Sequence, residues 1–147
     1  MSHTYSQNLL HIVFTSKDRR KVIPPELLAQ LWSYIAGICN NHEMTALAIG
    51  GTVNHVHILL RVPAKLAVAK AVALLKANSS KWIGEHVRTF SRQEGYGAFS
   101  VGASNADAVV RYIQNQPAHH RKISFEDEFR AMLRKHGVEY DPKFLFG

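Results

Sequence analysis

The stretch Val53-Asn54-His55-Val56-His57-Ile58-Leu59-Leu60-Arg61-Val62 alternates in the way that decides the fold. On an extended strand successive side chains point to opposite faces. Val56, Ile58, Leu60 and Val62 therefore share one face, while His55, His57 and Arg61 share the other with Leu59. The first face must meet a core. The second carries two imidazoles at i and i+2, a workable spacing for two ligands of one metal ion. Two nitrogens do not complete a site, so a third protein ligand is required. In a chain with nine histidines, two unrelated surface histidines are the competing reading of this motif alone.

Upstream, Met44 to Ile49 reads as a strand and Gly50-Gly51 as the turn of a hairpin with Val53–Val62. Leu27, Leu28, Leu31, Ile35 and Ile38 recur at helical spacing, which predicts an amphipathic helix over 26–40 after Pro24-Pro25. Leu9 to Thr15 reads as the first strand. Downstream of Pro63, the spacing of Leu66, Ala69, Val72, Ala73 and Leu75 predicts a second helix reaching Trp82 and Ile83. Residues 86–97 look irregular, and Ala98 to Ala103 reads as a short fourth strand. Ser104 and Asp107 resemble a capping box opening a helix to about Gln116, which Pro117 ends or kinks. Ser124 and Asp127 suggest another start, with Phe125, Phe129, Met132 and Leu133 inward and Gly137 as the stop.

The order βαββαβ followed by two helices predicts an α+β, ferredoxin-like antiparallel sheet with two helices on one face. A single domain over 1–147 is expected, with a core of about 5–122 and a C-terminal helix and tail over 123–147. If the first strand lies beside the third, His11 joins His55 and His57 on the face those two helices leave open.

The 147 residues are 46% hydrophobic, enough for one compact core. The single cysteine, Cys39, excludes an internal disulfide and a multi-thiolate zinc site, and reads as a small core residue. Met1-Ser2-His3-Thr4-Tyr5 lacks a signal peptide's basic and apolar regions, and no apolar run reaches membrane-spanning length. A soluble cytoplasmic protein is expected, with no membrane partner. Net charge is +7, and the excess is uneven: residues 1–122 carry 14 Lys/Arg against 6 Asp/Glu, residues 123–147 carry 4 against 5. One basic cluster is Lys17, Arg19, Arg20 and Lys21. Another runs from Arg61 through Lys65, Lys70, Lys76 and Lys81 without an acid. Such asymmetry favours a polyanionic partner, although a solvated basic face gives the same pattern.

The second constellation is Arg111-Tyr112-Ile113-Gln114-Asn115-Gln116. Tyr112 and Gln116, at i and i+4, share a helix face. A phenol is a covalent nucleophile towards phosphorus only with help, because its ordinary pKa is about 10. A metal supplies that help by polarising the phosphate. The Gln116 amide oxygen is a plausible hard ligand for Mg²⁺ or Mn²⁺, one turn from the phenol. A half-buried helix tyrosine is the plainer alternative.

Together the two constellations resemble the HUH endonucleases, in which His-hydrophobe-His on a ferredoxin-like strand is joined by a tyrosine on a later helix. The chain most resembles the small single-tyrosine transposases of the simplest bacterial insertion sequences and their relatives associated with repetitive extragenic palindromes. The likeness runs through Ile12-Val13-Phe14-Thr15-Ser16-Lys17, Asn54 to Leu60, Asn78-Ser79-Ser80-Lys81 and Gly95-Tyr96-Gly97-Ala98-Phe99-Ser100-Val101. It continues through Tyr112 to Gln116 with His119-His120, and Phe125-Glu126-Asp127-Glu128-Phe129.

The resemblance implies that His55, His57 and Gln116 bind Mg²⁺ or Mn²⁺ and that Tyr112 is the nucleophile. It implies cleavage and rejoining of single-stranded DNA near hairpins through a 5′-phosphotyrosine link, by a homodimer in which one subunit's tyrosine helix can complete the other's site. Lys17, Arg19, Arg20, Lys21, Arg61, Lys76, Lys81 and Arg111 are the candidate DNA contacts. His119 and His120 stand between ligation and a polar pair near the phosphate path. Two other functions fit parts of the pattern. A non-catalytic module for hairpin or single-stranded nucleic acid would use Trp82, Tyr96 and Phe99 for stacking. A phosphoesterase using water would keep the histidines but not need Tyr112.

Overall fold

The computed structural model describes residues 4–16, 23–87 and 96–146. Four strands form one antiparallel sheet: β1 (Leu9–Thr15), β2 (Thr45–Thr52), β3 (His55–Arg61) and β4 (Gly97–Val101). Their order is β2-β3-β1-β4. The first strand thus lies beside the third, as the ferredoxin-like arrangement requires.

The central strands β1 and β3 are covered on both faces, which is why both read as near-continuous apolar runs. Leu10, Ile12 and Phe14 from β1 and Val56, Ile58 and Leu60 from β3 face helices α1 (Leu28–Asn41) and α2 (Val68–His86). Leu31, Ile35, Ile38 and Cys39 from α1 and Ala71, Val72, Leu75 and Ile83 from α2 complete this core. Cys39 is fully buried, and burial pushes its thiol up to about 11, so it is an inert packing residue.

The other face is not open. Leu9, Ala48 and Leu59 pack against Ile113 from α3 (Ala106–Gln114). Val13 and Phe99 pack against Phe125, Met132 and Leu133 from α5 (Phe125–Lys135). Between α3 and α5 lies the short α4 (Gln116–His119). The physical reason stands in β3 itself: Leu59, in phase with the histidines, is apolar and needs cover. Tyr140, Leu145 and Phe146 of the tail pack onto the α5 side of this layer.

Three local expectations change. The β2–β3 turn falls at Val53-Asn54, and Gly50 and Gly51 are inside β2, opposite His57 and Val56. A Cβ on Gly50 would lie 2.5 Å from the Ile113 carbonyl oxygen, so this glycine serves the approach of α3. Gly51 has φ +146°, and a Cβ there would meet the His55 carbonyl at 2.2 Å. Ser104 and Asp107 form no capping box, because a 3-10 turn over Ala103–Asn105 enters α3 with backbone bonds alone. The helix expected to reach Gln116 ends at Gln114, and Pro117 occupies the first turn of α4. The α5 signals hold: Ser124 accepts from the Asp127 amide, and Gly137, at φ +66°, follows the helix end.

Gly50→Ala forces α3 off the sheet and should cost about 1–3 kcal/mol. Gly37→Ala, exposed in α1 with open space around it, should stabilise by about 0.5–1 kcal/mol. Urea denaturation of the two variants checks the contrast; equal midpoints would contradict the tight α3–β2 approach.

Candidate metal centre and tyrosine

β3 delivers His55 and His57 to the face covered by α3, α4 and α5, and both side chains are buried. Their Nε2 atoms point towards Glu128, which α5 inserts from above. His57 Nε2 lies 3.0 Å and His55 Nε2 3.8 Å from Glu128 Oε1. His55 Nε2 also lies 2.8 Å from Gln116 Oε1, and Gln116 Nε2 donates to Glu128 Oε2 at 2.9 Å. The outer nitrogens are held as well. His55 Nδ1 meets Asn54 Oδ1 at 2.8 Å and Thr52 Oγ1 at 3.0 Å, and His57 Nδ1 meets His11 Nε2 at 2.7 Å.

Tyr112 comes from α3. Its hydroxyl donates to Glu128 Oε2 and lies 3.5 Å from His119 Nε2. The helix is interrupted at Asn115, yet Asn115 N–H still bonds the Arg111 carbonyl at 3.0 Å, so Tyr112 and Gln116 stay one turn apart and reach the same carboxylate. All these side chains belong to one chain.

Burial lowers the ring pKa of His55 to about 3, with the neighbouring His57 adding to the effect, and lowers His57 in the same direction. Burial likewise lowers His11 to about 3, again with His57 adding. These rings are neutral, so each keeps one ring nitrogen with a lone pair. Burial alone would raise the Glu128 carboxyl, but the His120 and His57 rings and the Tyr112 hydroxyl hold it well below the usual range. Burial, then the Glu128 carboxylate, push the Tyr112 phenol well above its ordinary value. The resting tyrosine is therefore protonated, with a carboxylate oxygen already on its hydroxyl.

The donor chemistry fits a divalent cation. Ligand atoms of His55, His57, His120 and Glu128 all lie within 4.8 Å of one another. His120 is the telling member. Its Nδ1 donates to the Ile123 carbonyl at 2.8 Å, which leaves Nε2 as the atom directed into the cluster. Nε2 is buried 3.1 Å from Glu128 Oε1, a position that either a proton or a cation fills. Three imidazoles with one carboxylate form a mixed nitrogen–oxygen donor set.

The structure thus brings together His55, His57, Tyr112 and Gln116, and adds Glu128 and His120. Glu128 had no role on sequence, but an acid among Phe125, Phe129, Met132 and Leu133 on the inner face of a helix was the available signal. His119, less buried, lies 3.2 Å from Glu128 Oε2 on the tyrosine side. Among the basic residues, Arg111 is exposed and adjoins Tyr112 at the rim of a cleft. Lys76 and Lys81 lie on α2, across the sheet, with Lys76 buried beside the Tyr96 ring. Arg61, at the far end of β3, donates to Gln7. Lys17, Arg19, Arg20 and Lys21 lie outside the described residues. No helix among the described residues is long and apolar enough to cross a membrane.

The fold is that of the small single-tyrosine transposases. Residues 4–116 match the family Transposase IS200 like, and the chain belongs to it. It is 27% identical over 124 residues to the transposase for insertion sequence element IS200 from Salmonella typhimurium, covering 79% of this chain and 81% of that one. The Salmonella typhi counterpart gives the same figures. Two solved structures share the fold. A putative transposase from Deinococcus radiodurans R1 aligns with TM-score 0.63 at 18% identity, over 79% of this chain and 95% of its own. A REP-associated tyrosine transposase bound to a REP hairpin aligns with TM-score 0.60 at 15% identity, over 84% and 74%.

Glu128→Ala should weaken Mn²⁺ binding by at least about tenfold, because it removes the charged oxygen ligand at the centre of the cluster. Isothermal titration reads this directly, and unchanged affinity would remove Glu128 from the ligand set.

Proposed function

We propose that the chain is a metal-dependent transposase that cleaves and rejoins single-stranded DNA next to hairpins, with Tyr112 as nucleophile. The observation that carries the reading is the Tyr112 hydroxyl seated on Glu128, the same carboxylate that His55, His57 and His120 surround. His55, His57 and Glu128 would hold Mn²⁺ or Mg²⁺, with Gln116 or His120 completing the set. A bound cation supplies charge stabilisation to the scissile phosphate.

The chain's own residues do the rest. Glu128 Oε2 and Gln116 orient the phenol, and His119 lies within reach of its hydroxyl. The phenol oxygen bonds to phosphorus, the phenol proton passes to solvent, and the 3′-oxygen leaves and takes a proton from solvent. The 5′-phosphotyrosine link retains the energy of the phosphodiester, so a 3′-hydroxyl can reverse the step without ATP. The exposed Arg111 beside Tyr112 supports a phosphate contact there; Arg61 and Lys81 would serve DNA further away. Tyr112 reaches Glu128 within one chain, which supports a site built in cis, with dimerisation serving DNA pairing.

The test is a single-stranded oligonucleotide carrying the palindromes that flank the gene, incubated with Mn²⁺ and resolved on a denaturing gel. Wild type should form a protein–DNA adduct and Tyr112→Phe should form none. Cleavage by both without an adduct would point to water as the nucleophile, and binding without cleavage to a non-catalytic module. His55→Ala should abolish the adduct yet leave hairpin binding within about tenfold, since phosphate contacts dominate affinity. A comparable collapse of hairpin binding would contradict its role as a metal ligand.

A further inference from the structure

His11 is buried on β1 and lies outside the candidate ligand set. The sheet register brings it to the site. Val13 pairs with His57 and His11 with Leu59, so His11 is the diagonal neighbour of His57 on the covered face. Its Nε2 is 2.7 Å from His57 Nδ1, and its ring packs 5.0 Å from the His57 ring and 6.0 Å from the Tyr112 ring.

The two nitrogens of His57 impose a tautomer problem. Without a cation, Nε2 faces the Glu128 carboxylate at 3.0 Å and must carry the proton it donates. Nδ1 is then an acceptor, and His11 must donate to it from Nε2. A cation at His57 Nε2 needs the lone pair there, which moves the proton to Nδ1 and turns His11 Nε2 into the acceptor. A backbone carbonyl or a carboxylate could serve only the second state. An imidazole serves both.

We propose that His11 is a positioning residue that holds His57 in either tautomer, exchanging donor for acceptor as a divalent cation enters; this rests on the metal-dependent reading above. The proton balance closes without a change in net protonation. The His57 Nε2 proton leaves to solvent, the His11 Nε2 proton passes to His57 Nδ1, and His11 takes one proton from solvent on Nδ1. His11 lines a cavity of about 530 Å³ shared with Ser100, Asn105, Tyr112 and His119, and its proton would come from that side. His55 meets the same demand differently, through Asn54 Oδ1 and the Thr52 hydroxyl, which between them accept and donate at its Nδ1.

The experiment compares His11→Gln, whose amide offers both a donor and an acceptor, with His11→Leu, which offers neither. In titrations with Mn²⁺ alone, His11→Leu should bind about 10–100-fold more weakly than wild type, and His11→Gln should recover most of the loss. Imidazole ¹⁵N NMR of the wild-type protein should show His57 protonated on Nε2 without metal and on Nδ1 with diamagnetic Mg²⁺. Equal Mn²⁺ affinity in a folded His11→Leu variant overturns the inference and leaves the metal reading standing. His57 protonated on Nδ1 in the metal-free protein overturns it even if His11→Leu fails to fold. A wild-type protein that binds neither ion overturns the metal reading itself, and the inference with it.

Discussion

One buried carboxylate organises the covered face of this protein. Glu128 is 2% exposed, yet burial has not neutralised it. A buried charge persists only where partners offset its lost hydration, and here they come from three other elements. β3 supplies His57 and His55, α4 supplies Gln116 with His119 and His120 at its end, and α3 supplies the Tyr112 hydroxyl. That carboxylate ties α5 to the histidine strand and to the tyrosine at once. The apolar contacts of Ile113 with Leu59, and of Phe125 and Leu133 with Val13 and Phe99, bring the helices to the sheet. The carboxylate sets where they stop.

The arrangement joins two needs that conflict in an isolated residue. A cation site wants neutral imidazoles and a charged oxygen, and burial under three helices keeps the rings neutral. A nucleophilic phenol wants its proton drawn away, yet the same burial raises its pKa. Placing both on opposite oxygens of one carboxylate couples them. The phenol is held on the carboxylate while still protonated, and on the proposed reading the positive charge of a bound cation would activate it.

Much of this was legible in the sequence, for local reasons. Alternation in β3 assigned Val56, Ile58 and Leu60 to one core and the histidines to the other face, and the ferredoxin-like order placed His11 beside them. What escaped depended on contacts between distant segments. Gly50-Gly51 has the composition of a hairpin turn, but Gly50 is there because Ile113, sixty-three positions later, approaches its backbone. The expected open face was closed by α3 and α5, a closure that Leu59 hinted at. Glu128 is one acid among three in Glu126-Asp127-Glu128. Helical phase separates it from the other two, but its partners lie as far away as His55. His120 was undecidable locally, because its character rests on which ring nitrogen the Ile123 carbonyl occupies.

On the proposed reading, one chain holds both the histidines and the tyrosine of a single site. Mixing Tyr112→Phe protein with His57→Ala protein tests it most directly. If each site is built within one chain, every site in the mixture lacks a component, and no covalent protein–DNA adduct should form at any ratio. Recovery of the adduct on mixing would show that the tyrosine of one subunit serves the histidines of another, and would contradict the single-chain site.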